Sequence, residues 1–292
     1  MKVHIVCKTG REHVLGRLGH ALAEQTGWTL SNVPNRRADL NYFLPYLNVE
    51  PVPTASAAYF SHLETADGAK RAAWYRANAQ VDVRVVTARR YLNDLSNVKV
   101  VARLPVDPQF TPKWTPLPSG RLRVGVAGMT YTATGRKGEA LLEAFRGSAV
   151  GKSLQLVTTG RGWSPDTTML DWGQMPDFYR SLDIYLCTSL VEGGPLPPLE
   201  ALACGVRVVI PTGVGMLDDL PDMMGVYRYK AGDVADMIGV LETVASAPRA
   251  NENGWGLVSS YLASLVEDYS AQHWAADHVK AFVGATALKG AK

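Results

Sequence analysis

The sequence predicts an α/β fold of two domains, each a parallel sheet with helices on both faces. Three features predict it: the length, a strand and helix alternation that runs twice, and a proline-dense stretch between the two runs. A chain of 292 residues exceeds one small core and suits two domains of roughly 100 to 200 residues each. Its 47% apolar and 20% charged residues are ordinary globular composition, with enough apolar surface for a sizeable core.

The first run has short apolar or β-branched segments bounded by turn residues, predicting strands at Val3–Cys7, Leu40–Phe43, Ala57–Phe60, Val83–Thr87 and Val98–Leu104. Between them, Arg11–Gln25 sets Val14, Leu15, Leu18, Ala21 and Leu22 on one helical stripe, and Lys70–Ala79 and Arg89–Leu95 separate the last three strands. Five prolines follow (Pro105, Pro108, Pro112, Pro116, Pro118), a density that neither strand nor helix tolerates, so this stretch reads as a stiff interdomain connection.

The pattern then restarts with strands at Leu122–Ala127, Leu154–Thr158, Ile184–Cys187 and Val206–Ile210. Helices are expected at Lys137–Phe145, Pro176–Leu182, Leu196–Cys204 and Asp233–Ala245. A last helical run, roughly Gly256 to Phe282, carries Trp255, Tyr261, Leu262, Leu265, Tyr269, Trp274 and Val279 ahead of a small-residue tail. The expected domains are 1–117, 118–268, and a C-terminal helix with tail, 269–292, that packs back on the first domain.

Several function classes are excluded or disfavoured. Val3–Cys7 is far shorter than a secretory leader's apolar region, and no stretch of about 20 apolar residues follows. Cys7, Cys187 and Cys204 each lie in an apolar pattern, so they read as buried thiols of a reducing cytoplasm, where the chain is expected. Gly147–Ser153 has three residues between its glycines and follows a helix, the reverse of a P-loop. No Asp-x-Asp triplet offers a carboxylate pair for a divalent cation, so neither a metal nor another cofactor is expected. Residues 1–117 hold 15 Lys and Arg against 9 Asp and Glu, a basic excess open to two readings: a solvated face, or a surface for an anionic partner.

Chemistry concentrates in Glu192-Gly-Gly-Pro-Leu-Pro-Pro-Leu-Glu200, which follows a predicted strand and opens a predicted helix. Gly193 and Gly194 can present bare amide N–H groups, and the helix start at Leu196 adds the positive end of its dipole, so a diphosphate would be well received. Glu200, about one turn into the helix, would accept hydrogen bonds from a vicinal diol such as a ribose. Carboxylates at either end of a glycine turn suit a nucleotide sugar, with hydroxyls at both ends and a diphosphate between. The plainer reading is a helix-start charge and a turn. Arg136 and Lys137, two cations before another predicted helix, also suit an anion.

The run Glu192–Val209 resembles the E-x7-E signature of the retaining glycosyltransferases of family 4 and their relatives. Weaker likenesses fall in the family's order around it: Val106–Pro112 with its interdomain segment, Leu154–Gly162 with its strand and glycine loop, Phe178–Ile184 with the elements before the signature, and Tyr269–Trp274 with its terminal helix. The resemblance implies a GT-B fold, two Rossmann-like domains with parallel sheets facing a central cleft, in a compact, phage-type member. It further implies a UDP- or GDP-sugar as donor and transfer to an acceptor hydroxyl with retention. Lys137 matches the family's Lys-Gly pair on the donor diphosphate. His62, after a strand, takes the place of a histidine near sugar and acceptor, and Gly10 the place where the acceptor domain approaches the phosphates. Two departures stand out: the expected arginine after the strand-end glycine is Met129, leaving Arg136 to substitute, and the double glycine at Gly10 is single.

The acceptor is either a modified base in DNA, served by the basic excess with the exposed-looking aromatics Tyr42, Tyr46, Trp74 and Tyr75 interleaved, or a glycan or lipid at an anionic membrane surface. A non-catalytic nucleotide-sugar binding protein of the same fold is the alternative.

Overall fold

A computed structural model describes residues 1–113, 120–131, 133–163, 167–247 and 252–286. Pro116, Pro118, the expected boundary at 117/118 and the tail beyond 286 lie outside the described residues, as does the side chain of Trp255. The chain folds into two compact units, Met1–Pro105 with Tyr269–Lys292, and Val106–Asp268.

The first unit holds a parallel sheet of β1 (Val3–Val6), β2 (Thr29–Ser31), β3 (Leu40–Phe43), β4 (Ala55–Phe60), β5 (Val83–Val86) and β6 (Val98–Val101), in the spatial order β2-β1-β3-β4-β5-β6. Near-continuous burial of β1, β3, β4 and β5 is the mark of strands covered on both faces. Around them lie α1 (Val14–Thr26) and α2 (Gly68–Gln80). The predicted helix Arg89–Leu95 is a single 3₁₀ turn, Arg89–Leu92.

α1 begins later than predicted, and its Val14 faces solvent; Gly16, Leu18, Gly19 and Leu22 form its buried side. α2 begins earlier, because Asp67 caps the amides of Ala69 and Lys70. β2 escaped the sequence reading. It is three residues long and half exposed, and its place depends on β1: the His4 ring lies 2.7 Å from Thr29 Oγ1 and 3.0 Å from Ser31 Oγ.

The second unit holds β7 (Arg123–Met129), β8 (Gln155–Arg161), β9 (Ile184–Leu186), β10 (Arg207–Pro211) and β11 (Val226–Tyr229), parallel in the order β11-β10-β9-β7-β8. Its helices are α3 (Glu139–Gly147), α4 (Ala149–Ser153), α5 (Met175–Arg180), α6 (Leu196–Ala203), α7 (Val234–Ser246) and α8 (Glu252–Ser264). The core between sheet and helices includes Val124, Val126, Leu142, Phe145, Ile184, Leu186, Val209 and Leu241. β11 has no counterpart in the sequence reading, because Val226-Tyr-Arg-Tyr229 buries only its two end residues and offers no long apolar run.

The first part of the proline stretch belongs to this second unit. Phe110 is buried with ring contacts to Trp172 at 5.2 Å and Tyr179 at 5.7 Å, and the Arg180 guanidinium donates to the Thr111 carbonyl at 3.0 Å. Those contacts belong to the second unit, which runs from Val106 to Asp268.

The predicted single helix 256–282 is two, α8 and α9 (Ala271–Thr286). Ser270 makes the break, accepting the His273 amide at 3.2 Å on its hydroxyl and the Trp274 amide on its carbonyl, as a helix cap does. α9 buries Trp274, His278 and Phe282, spaced four apart on one stripe, while Val279 is exposed. Tyr42, Tyr46 and Trp74, expected on the surface from the sequence, are buried instead because their rings complete this unit's core, and only Tyr75 of the four is exposed. Tyr42 of β3 meets both His278 (ring centroids 5.2 Å) and Phe282 (5.1 Å). Among the described residues no helix is long and apolar enough to cross a membrane.

His278 joins α9 to the sheet. Its Nδ1 lies 2.7 Å from the Trp274 carbonyl, which can only accept, so Nδ1 carries the proton and Nε2 accepts from the Tyr42 hydroxyl at 2.7 Å. Burial pushes the imidazole down to about 4, with the Trp274 carbonyl a smaller opposing influence. The folded state therefore resists a proton that the unfolded chain accepts near its ordinary value of 6.5. Stability is complete above that value and is lost as pH falls toward 4, by on the order of 3 kcal/mol. Urea denaturation across this range should show a steeper acid loss in wild type than in His278→Phe; parallel curves would remove His278 as the origin.

Candidate active site

In the second sheet the chain goes from β7 outward to β8, then crosses back to β9 on the other side of β7 and continues to β10 and β11. The connections thus diverge between β7 and β9. At such a point the loops at the carboxyl ends leave a crevice, the place where open α/β sheets bind ligands. The loop after β7 carries Arg136 and Lys137, and the loop after β9 carries Glu192, Gly193 and Gly194.

The two loops are stitched together. The amide of Leu190 donates to the Arg136 carbonyl at 2.7 Å, and the Thr188 hydroxyl donates to the Lys137 carbonyl at 2.6 Å. Gly138 makes this approach possible. It adopts φ +74°, and a Cβ there would lie 1.9 Å from the Thr188 carbonyl oxygen, so no other residue fits without moving backbone.

Stitching brings the predicted cations onto the predicted carboxylate. Lys137 Nζ is ion-paired with Glu192 Oε1, and Arg136 Nη1 lies 3.9 Å from Glu192 Oε2. Side-chain exposures of 12%, 17% and 11% for Arg136, Lys137 and Glu192 make this a largely desolvated cluster, in which charges interact more strongly than in water. The Ser189 hydroxyl is 3.5 Å from Glu192 Oε1, and Met129, where the resembled family has arginine, is exposed beside the loop.

The Gly193 carbonyl accepts the Met216 amide at 2.8 Å, while the amides of Gly193 and Gly194 donate to no group among the described residues. α6 starts at Leu196 with no side-chain cap. Because Pro195, Pro197 and Pro198 have no N–H, the donors at this helix start narrow to Leu196 and the two glycines.

Glu200 sits deeper than the sequence suggested. It is 3% exposed, and its Oε2 accepts the Tyr179 hydroxyl at 2.6 Å. Tyr179 is fully buried, and burial followed by the charge of Glu200 holds its phenol well above the usual range, so it remains a donor. Sequence reasoning missed Tyr179, whose only signal was its place in the helix before the signature. Cys187 and Cys204 are buried, and burial pushes their thiols up to about 11 and about 12, far from a nucleophile's requirement.

His62 and Gly10 lie in the first unit. His62 follows β4, with Nδ1 3.3 Å from the Ser61 hydroxyl and Nε2 3.7 Å from Oε2 of Glu64. Glu64 is buried and accepts Lys70 Nζ at 2.6 Å. Gly10 lies exposed in the loop after β1, its carbonyl taking the His13 amide at 3.1 Å. A Cβ on Gly10 would first meet the movable Glu12 carboxylate, whereas one on Gly16 would lie 1.8 Å from the Gly10 carbonyl oxygen. Gly16 is the sterically demanded glycine, and sequence reading did not single it out.

The fold is the α/β type with two parallel sheets found in GT-B glycosyltransferases. Similar solved structures include sucrose-phosphate synthase from Thermosynechococcus elongatus (TM-score 0.75, 13% identity, 98% of this chain and 99% of that one). Others are Anabaena HepE in complex with UDP (0.67, 12%, 97% and 100%) and the apo lipopolysaccharide outer core galactosyltransferase WaaB (0.68, 12%, 97% and 99%). Residues 152–221, which span β8 to β10 and include Glu192 and Glu200, match the family model described as Glycosyl transferases group 1. The comparison with curated proteins found no match.

Tyr179→Phe leaves a buried carboxylate without one of its donors. Urea denaturation should show a loss of about 1–3 kcal/mol; unchanged stability would mean that Glu200 does not depend on Tyr179.

Proposed function

We propose that the chain is a glycosyltransferase that takes a sugar from a UDP- or GDP-sugar and passes it to an acceptor hydroxyl with retention of configuration. The observation that carries the reading is the cluster of Arg136, Lys137 and Glu192 at the point where β7 and β9 diverge, with the amides of Gly193 and Gly194 beside it. The group 1 match across residues 152–221 supports it.

In this reading the diphosphate rests against Lys137, Arg136 and the glycine amides. As the anomeric bond lengthens, negative charge grows on the leaving oxygen and meets donors already in place. Lys137 can serve both partners, because its ammonium has three hydrogens and Glu192 takes one direction. Glu192 orients hydroxyls of the sugar, and Glu200, steadied by Tyr179, is assigned the ribose. Two cations neutralise the leaving group, so no metal ion is required. His62 is assigned to the sugar and acceptor, with Gly10 at the phosphates. Retention rests on the resemblance to family 4.

The acceptor is a modified base in DNA or a glycan or lipid at an anionic membrane surface, both consistent with the basic excess of the first 117 residues. A salt-dependent affinity for duplex DNA without affinity for anionic vesicles would select the first.

A panel of UDP- and GDP-sugars, read by thermal shift and by release of nucleoside diphosphate, tests the donor assignment. At least one should stabilise the protein and turn over. Lys137→Ala should lower kcat/KM by about a hundredfold or more, and Glu200→Ala should weaken donor binding. Full activity in both variants would remove this donor site, and binding without turnover would make the chain a nucleotide-sugar binding protein.

A further inference from the structure

Tyr131 has no part in the assignments above, yet its backbone is held at both polar groups. Its amide donates to Glu139 Oε1 at 2.6 Å, and its carbonyl accepts the amides of Thr134 and Gly135, each at 2.8 Å. Glu139 is the first residue of α3, where a carboxylate is favoured by the helix dipole. The ring so positioned is 40% exposed rather than buried in the core, and the Arg136 guanidinium carbon lies over it, 4.0 Å from the centroid.

The Arg136 guanidinium is held over the ring, and its N–H groups are under-used. Nη1 makes only a 3.4 Å approach to the Val191 carbonyl and a 3.9 Å approach to Glu192, and Nε is buried with no hydrogen-bond partner among the described residues. A buried donor without a partner is costly. A guanidinium stacked on a ring keeps its in-plane N–H groups available for an anion, and those groups form a fork that matches phosphate oxygens.

We propose that Tyr131 is a positioning residue for diphosphate binding: its ring holds the Arg136 guanidinium in place, so that its N–H groups meet the anion without first losing side-chain freedom. The inference rests on the donor-site reading above. Pre-ordering matters because an arginine has many rotamers, and each one frozen on binding subtracts from affinity. The Glu139 contact and the turn at Thr134 and Gly135 fix where the ring stands.

The test is calorimetric titration with inorganic pyrophosphate, UDP and GDP, on proteins whose thermal melting is unchanged. Tyr131→Phe keeps the ring and should bind within about twofold of wild type, whereas Tyr131→Leu and Tyr131→Met should weaken binding about five- to tenfold. In an Arg136→Gln background, Tyr131→Leu should have no further effect, which a general loosening of the loop would not produce. Equal binding by wild type and Tyr131→Leu overturns the proposal, as does an undiminished effect in the Arg136→Gln background or failure of Tyr131→Phe to preserve affinity. If wild type binds none of the three ligands, the donor-site reading falls and this inference with it. Binding that is indifferent to Tyr131 removes this inference alone.

Discussion

The second unit is organised around a largely desolvated charge cluster: two cations from the loop after β7 close on one carboxylate from the loop after β9. Placing three ionised groups where water is scarce has a desolvation cost that their mutual attraction offsets only with good geometry. The backbone supplies that geometry before the side chains meet. Gly138 lets the two loops touch, and the Arg136 and Lys137 carbonyls are already engaged by the neighbouring loop. The cluster carries two positive charges against one negative, an imbalance that an anion would correct.

A second layer supports that cluster without belonging to it. Tyr179 donates its hydroxyl to Glu200 and packs against Phe110 and Tyr185, with ring centroids 5.7 Å and 5.6 Å away. Phe110 comes from the proline-rich stretch, so a segment that reads as a linker also packs against the tyrosine that holds Glu200. Trp163, after β8, donates its indole N–H to the Gly128 carbonyl at 2.9 Å and ties the loop after β8 to the end of β7. Changes well away from Glu192 can therefore alter how its surroundings are held.

The first unit has a different centre. Tyr42, Tyr59, Trp274, His278 and Phe282 pack where α9 meets the sheet, and a neutral histidine completes the polar pairing inside it. The chain leaves this unit at Pro105 and rejoins it at Tyr269, so its core is built from the two ends of the sequence. His62 stands apart from that core, against a buried Glu64 that Lys70 also engages.

The sequence by itself determined the element types and most of their order, because apolar periodicity and turn residues act locally: β3 was read to the residue, and β7, β8 and β9 to within two or three. It also singled out Glu192, Glu200, Arg136 and Lys137, since charge beside glycines at a helix start is unusual enough to notice. Tertiary structure decided what no local pattern encodes. β2 and β11 exist because a neighbouring strand offers hydrogen bonds, and one apparent helix is two because Ser270 caps the second. Glu200 is buried against Tyr179, 21 residues away in sequence, and Glu192 faces Lys137 because two strands adjacent in the sheet are far apart in the chain. Contacts of that kind depend on strand order, and strand order follows from how the whole sheet packs.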